Sequence, residues 1–191
     1  MILPSLVQRF QKEHPQIDVH VSIYNSNTLE QCILDNRIDF ALVEGDSSHP
    51  QITQLPFMED RLCLICGKND PLADQESVML RDLEKRSFLL REIGSAGREL
   101  FDSVMLMNHF PVEPVWESVS TQAIITAVAK GLGISVLPQL LVKDAIDQGE
   151  VLEKRVEDAS FTRKFSVIYH KNKYLSASAK AFIQLCREKA E

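Results

Sequence analysis

Apolar residues recur at helical spacing at the start of the chain. Leu3, Leu6, Val7 and Phe10 fall at i, i+3, i+4 and i+7, which predicts an amphipathic helix with one side to bury. His14-Pro15 ends it, because proline cannot extend the hydrogen-bond ladder and restricts the residue before it. The period then changes to two. Ile17, Val19, Val21 and Ile23 alternate with Asp18, His20, Ser22 and Tyr24, the pattern of a half-exposed strand. Asn25 to Thr28 reads as a polar turn, and Asn27 followed by Glu30 resembles a capping box for a helix that buries Leu29, Cys32 and Ile33. Phe40 to Val43 is a continuous apolar run, as expected of a parallel strand covered on both faces. Glu44-Gly45 lies at its C-terminal end, the side on which open α/β sheets face ligands.

The alternation of strand and helix patterns continues. After a loop at Ser47 to Pro50, Arg61 to Cys66 predicts a strand, broken by Gly67-Lys-Asn-Asp-Pro71. A short helical piece closes at Asp82-Leu83, and Phe88 to Leu90 predicts a strand. Arg91-Glu-Ile-Gly-Ser-Ala-Gly97 leads into a helix with Leu100, Phe101 and Val104 inward, and His109 to Pro114 is a turn. Val151-Leu152 is a short strand. Phe165, Val167 and Tyr169 alternate as a final strand, and Ser176 starts a helix burying Ala179, Phe182, Ile183 and Cys186. Such alternation predicts an α/β fold with largely parallel sheets.

Glu117 to Pro138 is the most informative stretch. A β-rich run, Val115-Trp116, meets the cluster Ser118 to Thr121, whose hydroxyls suit a helix N-cap. Ile124, Ile125, Val128 and Ala129 recur at helical spacing. Gly131 ends the helix, since glycine takes the left-handed C-terminal position without a Cβ penalty. Ile134 to Leu137 is a short buried strand, and Pro138 suits the first position of a further helix. A crossover of this kind aims the bare N–H groups of a helix start at a sheet edge, where an anion or polar ligand is favoured.

Composition narrows the function classes. The 191 residues suffice for one large domain or two small lobes. At 45% hydrophobic and 25% charged, the chain has an ordinary globular composition. No apolar run is long enough to span a bilayer, and the start carries no secretory signal pattern. A net charge of −6 argues against a broad grip on phosphate backbones. Cys32, Cys63, Cys66 and Cys186 are too few and too scattered for a disulfide framework, which suits a reducing cytosol. Cys63 and Cys66 fall in one strand, where residues three apart point to opposite faces, so a redox or zinc pair is rejected. The histidines show no metal spacing, and no nucleophile elbow, P-loop or nucleotide fingerprint occurs. Neither a metal nor a cofactor is expected.

Several segments, in collinear order over nearly the whole chain, resemble the effector-binding domain of LysR-type transcriptional regulators. Ala127 to Pro138 is similar to the family's V-x-x-G-x-G-I-x-x-L-P, and Ile2 to Pro15 to L-P-x-L-x-x-F-x-x-x-x-P. Asp35 to Gly45 resembles G-x-L-D-x-x-L-V-E-G, Asp70 to Ala73 resembles H-P-L-A, and Phe88 to Arg98 resembles W-I-L-R-E-x-G-S-G-T-R. The set points to the branch that regulates carbon- and sulfur-assimilation genes. The resemblance implies a periplasmic-binding-protein type 2 fold, two α/β lobes joined by two crossover strands. One lobe would hold residues 1–67 with 164–191, and the other residues 68–163. The family's winged helix-turn-helix is absent from the sequence, as is the strand that normally precedes the first helix.

What the resemblance implies functionally is a non-enzymatic, cytoplasmic sensor. A small metabolite would bind in the inter-lobe cleft, and the change would pass through a homodimer or tetramer to DNA-binding heads outside this chain. Candidate effector-binding residues are Asn25, Ser26, Asn27, Thr28, Glu44, Arg91, Ser95, Ser120, Thr121 and Gln122. Three of these segments precede a helix, where ordinary capping is the alternative role. Free N–H groups and the positive end of the helix dipole suit an anion there, with Arg91 or Arg98 as its charge partner. Arg98 reads equally as a solvated or lobe-bridging charge, and Glu44 and Glu117, at strand ends, either accept from effector donors or salt-bridge across the hinge. Rival readings on the same fold are a transporter's solute-binding protein and an enzyme.

Overall fold

The structure is a computed structural model and describes residues 2–45, 47 and 49–188. Of the loop expected at Ser47 to Pro50, Ser48 lies outside the described residues. The chain forms two compact units, Met1–Glu59 with Arg163–Glu191, and Asp60–Thr162. The lobe boundaries that the resemblance implies, 67/68 and 163/164, lie a few residues from these. No helix among the described residues is long and apolar enough to cross a membrane.

The first unit contains α1 (Leu3–Glu13), α2 (Ser26–Leu34), β1 (Ala41–Glu44) and α6 (Ala177–Glu188). It also contains the first part of β2 (Ile52–Cys66) and nearly all of β8 (Thr162–His170). β1 pairs antiparallel with β8, Ala41 opposite Ile168 and Glu44 opposite Phe165. Leu6 and Phe10 of α1 meet Phe182, Ile183 and Cys186 of α6 in one core, with Phe57 and Val167 beneath them. The rings of Phe10 and Phe182 stand edge-on at 5.2 Å. α2 covers a second core of Ile33, Ala41, Val43 and Ile168. The helical periodicities of α1 and α6 thus mark their buried sides correctly.

Residues 17–23 form no strand, against the expectation from their alternation. A strand needs a ladder partner for its backbone groups as well as a two-residue period, and no described strand pairs with this segment. Ile17 and Val19 pack on the core, whereas Val21 and Ile23 are 48% and 74% exposed. The capping box expected at Asn27 is corrected too. α2 starts earlier, and the Asn25 side chain accepts from the Thr28 N–H at 3.0 Å.

The second unit is built on the latter part of β2, which pairs antiparallel with β6 (Ser135–Pro138) and β7 (Leu152–Val156). β3 (Ser77–Val78) runs parallel to β7, and a 3-10 turn follows at Leu80–Leu83. β4 (Leu89–Arg91) runs parallel to β5 (Trp116–Ser118), with Arg91 opposite Ser118. On the other side of this segment, Phe88 bridges in parallel to Ile134, just before β6. Helices α3 (Ala96–Met107), α4 (Thr121–Ala129) and α5 (Gln139–Asp147) make the connections. The sheets are mixed rather than largely parallel, because β2 and β8 are long strands whose partners β1, β6 and β7 run against them. Alternate residues of β2 feed two cores. Leu62, Leu64 and Cys66 pack with Phe88, Phe101 and Phe161, and Cys63 and Ile65 pack with Ile124, Val128 and Leu137. Cys63 and Cys66 therefore lie on opposite faces, and all four cysteines are free and buried.

Candidate functional site

β4 and β5 run parallel, so their C-terminal ends meet at one edge, and α4 begins just beyond β5. The Ser120 hydroxyl caps α4 by accepting from the Ala123 N–H at 3.2 Å. Ser118 Oγ accepts from the Ser120 N–H at 3.0 Å, which fixes the entry turn. Thr121 is then the first helical residue, half-buried, with Ser120 and Gln122 exposed on either side. Arg91, at the end of β4, donates from Nη1 to Thr121 Oγ1 at 3.1 Å. Its other edge is taken by the next residue: Nε reaches Glu92 Oε2 at 2.8 Å, and Nη2 reaches Glu92 Oε1 at 3.0 Å. A guanidinium, a hydroxyl and a helix start thus converge at the strand ends, a combination suited to a carboxylate or phosphate.

α3 begins beside the same strand end. Gly94, with φ 89°, makes the turn that residues with side chains rarely adopt. Ser95 holds the N-cap position, is buried, and makes no side-chain cap bond. Arg98 is not a solvated charge: its side chain is only 8% exposed. Its Nε donates to Asp102 Oδ2 at 2.6 Å, and its Nη1 lies 3.4 Å from Glu117 Oε2. Both partners belong to the same unit, so Arg98 serves the packing of α3 against β4 and β5. On the outer side of α4, a groove of about 410 Å³ is lined by Trp116, Ser120, Gln122, Thr126, Lys130 and Leu132, among others.

In the first unit, Asn25 is spent as the cap of α2, with Ser26, Asn27 and Thr28 in its first turn. Glu44 pairs with Arg163 at 2.6 Å, and the Arg163 side chain is only 2% exposed. The Arg163 guanidinium also lies 5.7 Å from the Phe165 ring centroid. Nearby, Gln54 Nε2 donates to Gly45 O at 2.9 Å and to Ser166 Oγ at 2.8 Å. Glu44 therefore has a cationic partner inside its own unit.

The model of the LysR substrate binding domain matches residues 1–191. The chain belongs to this family. It is the effector-binding domain of a LysR-type regulator, as the collinear motifs imply. It is 33% identical over 186 residues to the HTH-type transcriptional regulator YeiE of Escherichia coli K12, an alignment covering 97% of this chain and 63% of that protein. The chain thus spans about three fifths of that relative's length. Among solved structures, the regulatory domain of Synechocystis PCC6803 CcmR in complex with 2-PG superposes with a TM-score of 0.91 at 24% identity, covering 99% and 91% of the two chains. The effector binding domain of QuiR in complex with shikimate superposes with a TM-score of 0.85 at 22% identity, covering 99% and 90%. Both support the periplasmic-binding-protein type 2 fold of the LysR domain.

Of the residues singled out from the sequence, the second unit joins Arg91 directly to Thr121, with Ser120 as the cap beside them. Ser95 shows no bond to either. Two charged residues join these candidates in the structure: Glu92, which takes two nitrogens of Arg91, and Arg163, which holds Glu44. Glu92 directly follows Arg91, a signal available from the chain. Arg163 lies 119 positions from Glu44, so only the β1–β8 pairing could reveal it.

Proposed function

We propose that this domain binds a small anionic metabolite at the start of α4, through Arg91, Ser120, Thr121 and Gln122, with Ser95 from the start of α3. The observation that carries the reading is the 3.1 Å bond from Arg91 Nη1 to Thr121 Oγ1. It holds a cation and a hydroxyl together where a helix start already favours negative charge. The ligands of the related domains, shikimate and 2-PG, are acidic metabolites. Asn25 to Thr28 and Glu44 are proposed as further effector contacts from the first unit, and the two units as the family's two lobes. The role is binding, not catalysis. In the full-length regulator, a cytoplasmic protein, effector binding would favour one conformation of the domain and so alter DNA binding and transcription through a region outside this chain. Association into a homodimer or tetramer would carry the change.

The test is Thr121→Val, which keeps the shape and removes the hydroxyl. A thermal-shift panel of small carboxylates and phosphates finds a ligand, and calorimetry measures it. Loss of one hydrogen bond to a charged ligand costs about 1.5–3 kcal/mol, or roughly ten- to a hundredfold in affinity. The melting temperature should stay close to the parent's. Unchanged affinity in Thr121→Val overturns the site, and unfolding of the variant shows the hydroxyl to be structural.

A further inference from the structure

The guanidinium of Arg91 already holds a carboxylate. Glu92 takes two of its nitrogens at 2.8 and 3.0 Å, the side-on fork geometry in which arginine binds carboxylate ligands. The pair is sheltered, with side chains 21% and 15% exposed. The third nitrogen is spent on Thr121 at 3.1 Å. The backbone is braced as well. The Ser95 N–H donates to the Glu92 carbonyl at 3.2 Å, and Arg98 Nη1 donates to the Arg91 carbonyl at 3.1 Å. The two backbones are held, while the Glu92 side chain is held to Arg91 by its two hydrogen bonds and is otherwise free to turn about its own side-chain torsions. An incoming anion therefore meets an occupied cation, and two carboxylates facing one guanidinium repel each other.

We propose that Glu92 is a tethered competitor for the effector's acidic group. It closes the fork of Arg91 in the empty domain and must swing away when a carboxylate effector binds. The inference rests on the assignment of the site to Arg91 and Thr121. It adds that the effector presents a planar carboxylate to the fork, and that Glu92 sets the concentration at which the domain responds. Apparent affinity scales with the fraction of time the binding-competent state is open, so an internal carboxylate shifts the response to higher effector concentration without touching the effector's other contacts. Glu92→Gln keeps a hydrogen-bonding side chain of the same length and removes the charge that competes.

Acetate is the probe, since it carries one bare carboxylate and little else. The Arg91 side-chain Nε–H resonance and the Thr121 amide are followed by NMR while sodium acetate replaces sodium chloride at constant ionic strength. The expected result is a saturable shift at both positions, with Glu92→Gln binding acetate about tenfold tighter than the parent. Glu92→Asp, which keeps the charge on a shorter arm, should fall between them. It also serves as the informative variant should Glu92→Gln fail to fold. Equal acetate affinity in the parent and both variants overturns the competitor role and leaves the site standing. No saturable shift at Arg91 or Thr121 in any of the three proteins overturns the site, and the competitor role falls with it.

Discussion

Arg98 Nη1 donates to the main-chain carbonyl of Arg91 at 3.1 Å. The bond ties the first turn of α3 to the last residue of β4, the residue that also bonds Thr121 of α4. One buried arginine thus links three elements and steadies the backbone that presents the candidate anion site. Replacing it removes two charge-assisted bonds and a carbonyl partner. Asp102 and Glu117, at 42% and 45% side-chain exposure, can return to water. Arg98→Met should therefore lower unfolding stability by about 2 kcal/mol, nearer a lost hydrogen bond to a charge than a stranded buried ion. Urea denaturation measures it. Arg98→Lys should recover only part, since lysine lacks the fork that reaches Arg91 and Asp102 together. A variant as stable as the parent would assign Arg98 some other role.

Gly131 and Gly133 look alike in the sequence and are constrained differently. Gly131 has φ 77° and open space where a Cβ would stand, so Gly131→Ala meets only the left-handed backbone penalty, about 1 kcal/mol. A Cβ on Gly133 would run into the backbone carbonyl of Ser87, at the bridge that joins Phe88 to Ile134. That carbonyl accepts from Ile134 N–H and cannot retreat freely. Gly133→Ala should cost several times more than Gly131→Ala. Equal urea midpoints for the two variants would contradict the close approach.

Burial pushes the Cys63 and Cys186 thiols up to about 12, from an ordinary value of 9.0. Cys66 is raised by burial as well. In the unfolded chain these thiols ionise from about pH 9, while the folded domain keeps Cys63 and Cys186 protonated. Their stabilising contribution is thus complete below pH 9 and lost as pH rises through 12. Cys63→Val with Cys186→Val should lose less melting temperature between pH 8 and pH 10.5 than the parent. A thiol reagent at pH 8 should find no reactive cysteine in the native domain and all four after denaturation. Rapid native labelling would show that the β2 core opens.

Legibility from the chain followed the range of each interaction. The buried sides of α1, α4 and α6 were readable, because a 3.6-residue period is local and Phe10, Val128 and Phe182 obey it. The Ser120 cap and the Gly131 stop are equally local. The strand expected at residues 17–23 fails because alternation cannot report whether a partner strand is present. β2 begins well before the predicted Arg61, for Pro56 discourages a strand reading in its first part. At the candidate site, Thr121 and Arg91 were each recognisable as polar groups at element ends. Their hydrogen bond depends on the β4–β5 register, which places Arg91 opposite Ser118 across 27 positions. Glu92 is not legible as part of the site, because a carboxylate beside an arginine in the chain reads as a surface charge and only the fold shows its two bonds to Arg91.

The unpaired segment and the outer groove of α4 bear on association. In the segment, Val21, Ile23 and Tyr24 are 48%, 74% and 52% exposed, and of the groove's lining Trp116 and Leu132 are 41% and 52% exposed. Clustered exposed apolar side chains mark interaction surfaces more often than isolated ones do. The segment also has backbone groups that no described strand pairs. The LysR resemblance implies an antiparallel dimer in which the first helix, Leu3 to Phe10, and the expected strand Ile17 to Ile23 of one chain meet the second lobe of the other, although residues 17–23 form no strand in the structure. The domain should therefore sediment as a dimer at micromolar concentration. Ile23→Asp places a charge on that segment at a position exposed in the single chain, so it should shift the equilibrium to monomer by about tenfold or more while altering monomer stability little. Leu132→Asp tests the α4 groove in the same way. If the parent is monomeric, the dimer proposal fails. If both variants remain as dimeric as the parent, the association uses another surface. Dissociation by Ile23→Asp alone would keep the segment in the interface and remove the groove from it.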